Sequence, residues 1–472
     1  MVSVLESLLA ELGGCLSLDG ERVSVRSETS LRTQIERLVE ISALEEGERQ
    51  AGARYLTRLA ALDLGIIPSS IHDLYMARGR GDVPLTFTVP AINLRVLPFD
   101  AARAAFRAAM KVDAAALIFE IARSEIGYTA QRPAEYATAI LAAAIAEGYR
   151  GPVFLQGDHF QVSAKRYQEN AEAELTAVRD LTREAIVAGF FNIDVDTSTL
   201  VDVTLPDVSQ QQRLNYELSA MFAAYIRRIE PRGVTVSIGG EIGEVGGHNS
   251  TEPELRAYMD GFNAELAKRS PGSPGLSKIS IQTGTSHGGV VLPDGTIARV
   301  KVDFDTLRNL SRVARSEYGL AGTVQHGAST LPQDAFGKFV EAEACEVHLA
   351  TNFMNIFYDR APDDLRKEMY AWLDANKSTD RKPDQTDEQF YYKTRKYALG
   401  PFKRELYALP SSFRDELSAV WEEQFDMLFA ALGVANTRRY VEKFVTPVAV
   451  QPTLADYLGG TKVEENTDDL AD

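Results

Sequence analysis

Five of the six histidines, His159, His248, His287, His326 and His348, follow short apolar runs, several beside Gly, Ser or Asp. Imidazoles gathered from distant segments at strand ends are how a barrel assembles a metal site. His159, His287 and His326 end the third, sixth and seventh candidate strands. Three imidazoles with one open position describe a catalytic zinc centre that polarises a carbonyl oxygen, whereas any one of them alone reads as a donor to a loop carbonyl. Asp158 precedes His159 in QGDHF. A carboxylate beside a bound metal can exchange protons with a substrate hydroxyl, and its plainer role is to orient a histidine. Asp196 in FNIDVDTS and Glu241 in GGEIGEVGG face the same mouth, as a second or alternative metal position or as acceptors for loop donors. Two small-residue loops follow histidines: His287-Gly288-Gly289 and His326-Gly327-Ala328-Ser329. Such loops let backbone N–H groups approach an anion, and Ser329 adds a hydroxyl, so each is a candidate phosphate site. EIGEVGGHN carries enough glycine to act as a lid or an ordinary flexible loop.

The elements that must position these groups follow from periodicity. Apolar runs at 85–93, 115–121, 152–159, 190–196, 233–241, 278–287, 322–326 and 345–351 read as eight buried strands separated by helical stretches. The clearest helix has Leu214, Leu218, Met221, Phe222, Tyr225 and Ile229 on one stripe. Eight such strands alternating with helices predict an α/β fold, a parallel (β/α)8 TIM barrel over residues 81–360. Residues 1–80 read as an all-helical N-terminal extension, with Leu31, Ile35, Leu38 and Val39, then Tyr55, Leu56, Leu59 and Leu62, at helical spacing. Residues 361–450 read as a C-terminal helical extension, including a helix opened by a Ser412/Asp415 capping pattern and an exposed loop at 374–389. Residues 451–472 read as an acidic, flexible tail.

Composition bounds the function. The chain has 472 residues, 45% of them apolar and 25% charged, with a formal net charge of −17. That charge argues against nucleic acid or an anionic membrane as partner, because both need a basic face. No apolar run reaches membrane-spanning length. Any phosphorylated substrate therefore has to be held by a local positive feature, a metal or backbone N–H groups. Two distant cysteines, Cys15 and Cys345, and an N-terminal segment that carries Glu6 and Glu11 but no basic leader point to a reducing, cytoplasmic setting. The helical extensions are expected to cover one end of the barrel or to form the interface of a homo-oligomer, dimer or tetramer.

Taken in order, these segments resemble the class II, metal-dependent ketose-bisphosphate aldolases. VPAIN is similar to the family's VPAFN, QGDH to its DH motif, NIDVDTS to IDGS or IDLS, and GEIGEVGG to ELGxxGG. GTSHGG is similar to GTAHG, VDFDTL to LDFDRL, QHGAS to HGGS, and HLAT to NIAT or NIDT. The resemblance implies that His159, His287 and His326 hold zinc or another divalent cation, with Glu241 and Asp196 beside a metal channel, and that Asp158 handles the hydroxyl proton in C–C cleavage. It places Gly288, Gly327, Ser329 and Thr351 at the triose-phosphate end, where the family also uses a monovalent cation, Na+ or K+, and adds Asn93 and His348 as substrate contacts. The implied reaction is cleavage of fructose 1,6-bisphosphate, with zinc stabilising the enediolate of dihydroxyacetone phosphate. Tagatose bisphosphate, or another ketose phosphate, is the nearest alternative substrate. A non-catalytic barrel subunit would show broken ligands, and a metal hydrolase would show HxH on the first strand. The chain departs from the pattern at His348, where the family has Asn, at His248 and Asn249 after the lid glycines, at Ala328, and at Ala122, where a phosphate-contacting Ser is expected. His248 is a candidate for proton transfer at the substrate carbon, or a solvent-facing loop residue.

Overall fold

The computed structural model describes residues 2–243, 248–284 and 302–459, together with Leu292 and Leu470. His287, Gly288 and Gly289, the lid glycines Gly246 and Gly247, and nearly all of the acidic tail lie outside the described residues.

In chain order the strands are β1 (Leu16–Asp19), β2 (Arg22–Val25), β3 (Ile66–Ser69), β4 (Val89–Asn93), β5 (Ile118–Ala122) and β6 (Gly151–Gln161). They continue with β7 (Asn192–Asp196), β8 (Ser237–Glu241), β9 (Lys278–Ile281), β10 (Thr323–Gln325) and β11 (Glu346–Leu349). Strands β4 to β11 pair in sequence, all parallel, and β11 closes on β4 with Val347 opposite Pro90 and His348 opposite Ala91. All eight expected strands are present, and the fold is a closed (β/α)8 barrel. Their residues are buried on both faces, as a parallel sheet sheathed by helices requires. Among the described residues no helix is long and apolar enough to cross a membrane.

The N-terminal extension is not all helical. It contains the antiparallel hairpin β1–β2 and the strand β3, which adds in parallel to the outside of β6, with Ile66 opposite Gly151. β3 holds Pro68, tolerated because this is an edge strand. The helix His72–Gly79 then crosses the floor of the barrel, where the Tyr75 hydroxyl donates to Glu346 at 2.5 Å. In the C-terminal extension the helix Ser411–Ala431 has Pro410 as its N-cap rather than a Ser412 side-chain cap. It lies along the helix Pro98–Lys111, through Arg107 with Glu422 and Ser418, and Trp421 Nε1 donates to the Phe353 carbonyl at 3.0 Å. Both extensions therefore pack onto the barrel.

Candidate active site

Adjacent side chains on a regular strand point to opposite faces, so Asp158 and His159 could not both reach the mouth from an ideal β6. The strand solves this with a bulge: three steps from Gly157 to Phe160 span the two from Ile193 to Val195 on β7. His159 takes a φ of +39°, a conformation a non-glycine residue holds only when its surroundings impose it. Gly157 is required there, since a Cβ would come within 2.4 Å of the Phe160 ring. The bulge turns Asp158 toward β4 and β11 and His159 toward β7 and β8.

His159 Nδ1 lies 3.0 Å from Asp196 Oδ2 and 3.2 Å from Glu241 Oε2. Its ring stands 4.2 Å from that of His326, centroid to centroid, and His326 stands 4.0 Å from His348. Among the described residues, the third imidazole in the row is thus His348, from the end of β11. Asp158 Oδ1 lies 3.1 Å from His348 Nδ1, and Asp158 Oδ2 accepts from Asn93 Nδ2 at 3.0 Å. His159, His326, His348, Asp158, Asp196 and Glu241 are all buried.

The ligand atoms of His159, Glu241 and His326 lie within 4.8 Å of one another, as do those of Asp158, His326 and His348. Two imidazoles and a carboxylate are a donor set that zinc accepts. The electrostatics point the same way. Burial, and then the Asp196 carboxylate, push Glu241 up to about 7. Burial would raise Asp158 as well, but the neighbouring His159, His348 and His326 hold it well below the usual carboxylate range. Carboxylates this crowded are relieved by a cation, so the residues present fit a divalent ion.

Beside these groups a narrow crevice, about 20 Å³ in volume, is lined by Asn93, Arg95, Asp158, His326, Gly327, Ser329, His348 and Thr351, among others. That is room for about one water. Thr351 opens the helix Thr351–Arg360, whose N-terminus attracts anions. Ser329 Oγ accepts from the Ala350 N–H at 2.6 Å, and Gly327 has a φ of +69°. His248 stands apart from this group: its side chain is 61% exposed, and Nε2 lies 2.7 Å from Glu254 Oε1.

Several residues of the site were not singled out from sequence. Arg95 Nε donates to Glu125 Oε1 at 2.6 Å, and Glu125 Oε2 accepts from Asn93 at 2.9 Å, so a buried ion pair braces the carboxamide that holds Asp158. Arg95 follows Asn93 by two, on the loop after β4, and a charged residue at that place was the available signal. Below the imidazoles, Lys278 Nζ donates to Gln156 at 2.8 Å, Asp194 at 2.9 Å and Glu346 at 2.5 Å. Glu346 Oε1 in turn faces His348 Nε2 at 2.7 Å. Glu120 Oε1 lies 3.1 Å from His348 Nδ1 and, held by burial and by Asp158, is pushed up to about 8.

Comparison with known proteins agrees with this architecture. A probable tagatose 6 phosphate kinase from Sinorhizobium meliloti is 16% identical and covers 75% of this chain and 99% of its own, at a TM-score of 0.51; that likeness bears on the barrel fold alone. Similar structures also include a fructose-bisphosphate aldolase from Campylobacter jejuni, 17% identical, covering 79% of this chain and 97% of its own at a TM-score of 0.47. A fructuronate-tagaturonate epimerase from Cohnella laeviribosi is 13% identical, covering 94% and 99% at 0.49. No curated protein matches the chain. The profile of the family described as "Fructose-bisphosphate aldolase class-II" matches residues 85–409, and the chain belongs to that family.

Proposed function

We propose that this protein is a zinc-dependent aldolase that cleaves and forms a ketose bisphosphate, with fructose 1,6-bisphosphate as the first candidate substrate. The convergence of His159, His326 and Glu241 beside Asp158 carries this reading. His287 is the further ligand expected from sequence, and Asp196 steadies His159 through Nδ1. A divalent ion held there supplies Lewis-acid polarisation of the ketose carbonyl.

The rest of the chemistry falls to side chains. Asp158, kept ionised by the imidazoles around it, takes the proton of the hydroxyl on the carbon that leaves as aldehyde, and returns it in the condensation direction. Asn93 fixes that carboxylate through one oxygen, and His348 does so through the other. Gly327, Ser329 and Thr351, with Gly288, receive the anionic end of the substrate, where a sodium or potassium ion is the expected companion. Arg95 adds fixed positive charge to the same crevice. For the proton at the substrate carbon, His248 is the candidate base, oriented by Glu254, which also caps the following helix. The protein works in the cytoplasm as a homo-oligomer.

An intact donor set speaks against a non-catalytic barrel. Tagatose bisphosphate remains the second substrate, because epimers differ only in the direction of one hydroxyl. A coupled assay with each bisphosphate, with and without chelator, tests the proposal. Chelator-sensitive release of a triose phosphate from one of them is expected; no release from either, with zinc restored, defeats it. Unchanged turnover in a His248→Ala variant removes His248 from the reaction and leaves the rest standing.

A further inference from the structure

On the opposite face of the barrel lies a second concentration of charge, of the other sign. Arg78, in the last turn of the helix His72–Gly79, is 1% exposed. Its Nη1 donates to the Phe87 carbonyl at 2.8 Å and its Nη2 to the Ala344 carbonyl at 3.1 Å. Among the described residues no carboxylate pairs with it, and its Nε has no hydrogen-bond partner. Arg78 lines a cleft of about 340 Å³ together with Arg80, Arg312 and Arg315. Arg80 pairs with Asp82 at 3.1 Å, Arg312 with Glu343 at 2.7 Å, and Arg315 with the same Glu343. Four guanidinium groups thus share two carboxylates, in a chain whose net charge is −17.

Arginines near helix C-termini commonly answer the helix dipole, which accounts for Arg80 and Arg315 taken singly. It does not account for Arg78, whose carbonyl partners belong to the segments entering β4 and β11 rather than to its own helix. Nor does it account for the convergence of two segments far apart in sequence. Their junction is rigid: a Cβ on Gly79 would meet the Gly319 carbonyl oxygen at 2.1 Å, so helix end and turn are pressed together. Burial costs the Arg78 charge, pushing it down to about 10.

We propose that this cleft binds a phosphate group, separately from the barrel mouth. Several guanidinium forks can share one phosphate, which offers three terminal oxygens where a carboxylate offers two. The volume exceeds that of orthophosphate and lies at the lower end of small-ligand sites, which suits a phosphate ester of a small metabolite. Orthophosphate, a sugar monophosphate and a nucleotide present the same chemistry. Hydrogen exchange on the full-length, metal-loaded protein, titrated with inorganic phosphate, glucose 6-phosphate, ATP and citrate, distinguishes them and localises the site. Protection of backbone around 76–86 and 308–319 by at least one phosphate is expected, at least tenfold weaker in an R80S/R312S double variant, whose two side chains are exposed. Absence of protection there with every phosphate, equal protection by citrate, or equal affinity in the double variant would overturn the assignment.

Discussion

At the floor of the barrel Lys278 reaches Asp194, Glu346 and Gln156, and Tyr75 closes the remaining oxygen of Glu346. At the mouth His159, His326 and His348 stand ring to ring, flanked by Asp158, Asp196 and Glu241. Both regions are buried and charged, yet they differ in what balances the charge. On the floor burial would raise Glu346, but Lys278 and His348 hold it down at about 2, while burial still pushes Asp194, beside the same lysine, up to about 6. At the mouth Glu241 is pushed up to about 7 by burial and by Asp196, with only imidazoles to answer it. A buried ion pair with a fixed partner is architecture. A buried donor set balanced only by imidazoles, whose protons a metal ion can replace, is a place for chemistry.

That contrast can be broken from either side. The largest expected effect is at the mouth: Asp158→Asn should lower turnover of the bisphosphate by roughly 10²- to 10⁴-fold. A fall of less than threefold would mean that the mouth carboxylate is structural after all. On the floor, Lys278→Met leaves Glu346 and Asp194 buried without their cation and should destabilise the fold by about 3–5 kcal/mol in urea unfolding. A loss confined to activity would erase the distinction between the two ends. Gly157→Ala strikes the joint between them, since the new methyl meets Phe160; a loss of about 1–3 kcal/mol is expected, with turnover reduced as the bulge shifts. Should stability and activity both hold, the bulge does not depend on that glycine.

The smallest effect concerns pH. His72, at the start of the floor helix, is buried, and burial, then Arg227, pushes its pKa down to about 4. The folded protein therefore holds it neutral while the unfolded chain protonates near pH 6.5. Its contribution is present above about pH 6.5 and is lost as the pH falls toward 4, with a slope of up to about 1.4 kcal/mol per pH unit. Thermal unfolding of His72→Gln across that window should show a shallower acid slope than the parent, and an identical slope would clear His72 of any part in acid sensitivity.

Much of this was legible beforehand, for identifiable reasons. Each barrel strand is a short apolar run bounded by Gly or charged residues; of the stripe expected on the helix Val208–Ile229, Leu218 and Phe222 are buried and Leu214, Met221, Tyr225 and Ile229 half-buried, while Ile226, outside it, is buried too. β3, within the stretch that reads as helical, has no strand signature of its own, since a proline sits third of its four residues, and only pairing with β6 makes them a strand. His348 was visible as a departure from its family's pattern, but its place beside His326 and between Asp158 and Glu346 depends on the register of β11 against β4 and β10. Arg95, Glu125 and Lys278 carried no local signal beyond their charge.

The order of apolar runs and helices was enough, by itself, to specify a parallel barrel and to assign Asp158, His159, Glu241, His326 and His348 to the ends of its strands. Periodicity is a local property, and in a barrel of parallel strands every strand delivers its last residues to one face. Only the tertiary structure decided which of those side chains touch, that Asp158 and His159 share the mouth through a bulge, and that Lys278 and Tyr75 neutralise the floor. It also decided that arginines from two distant segments meet at the far end. Those outcomes rest on register, closure and chain crossing, which join residues up to hundreds of positions apart and leave no pattern within any one segment.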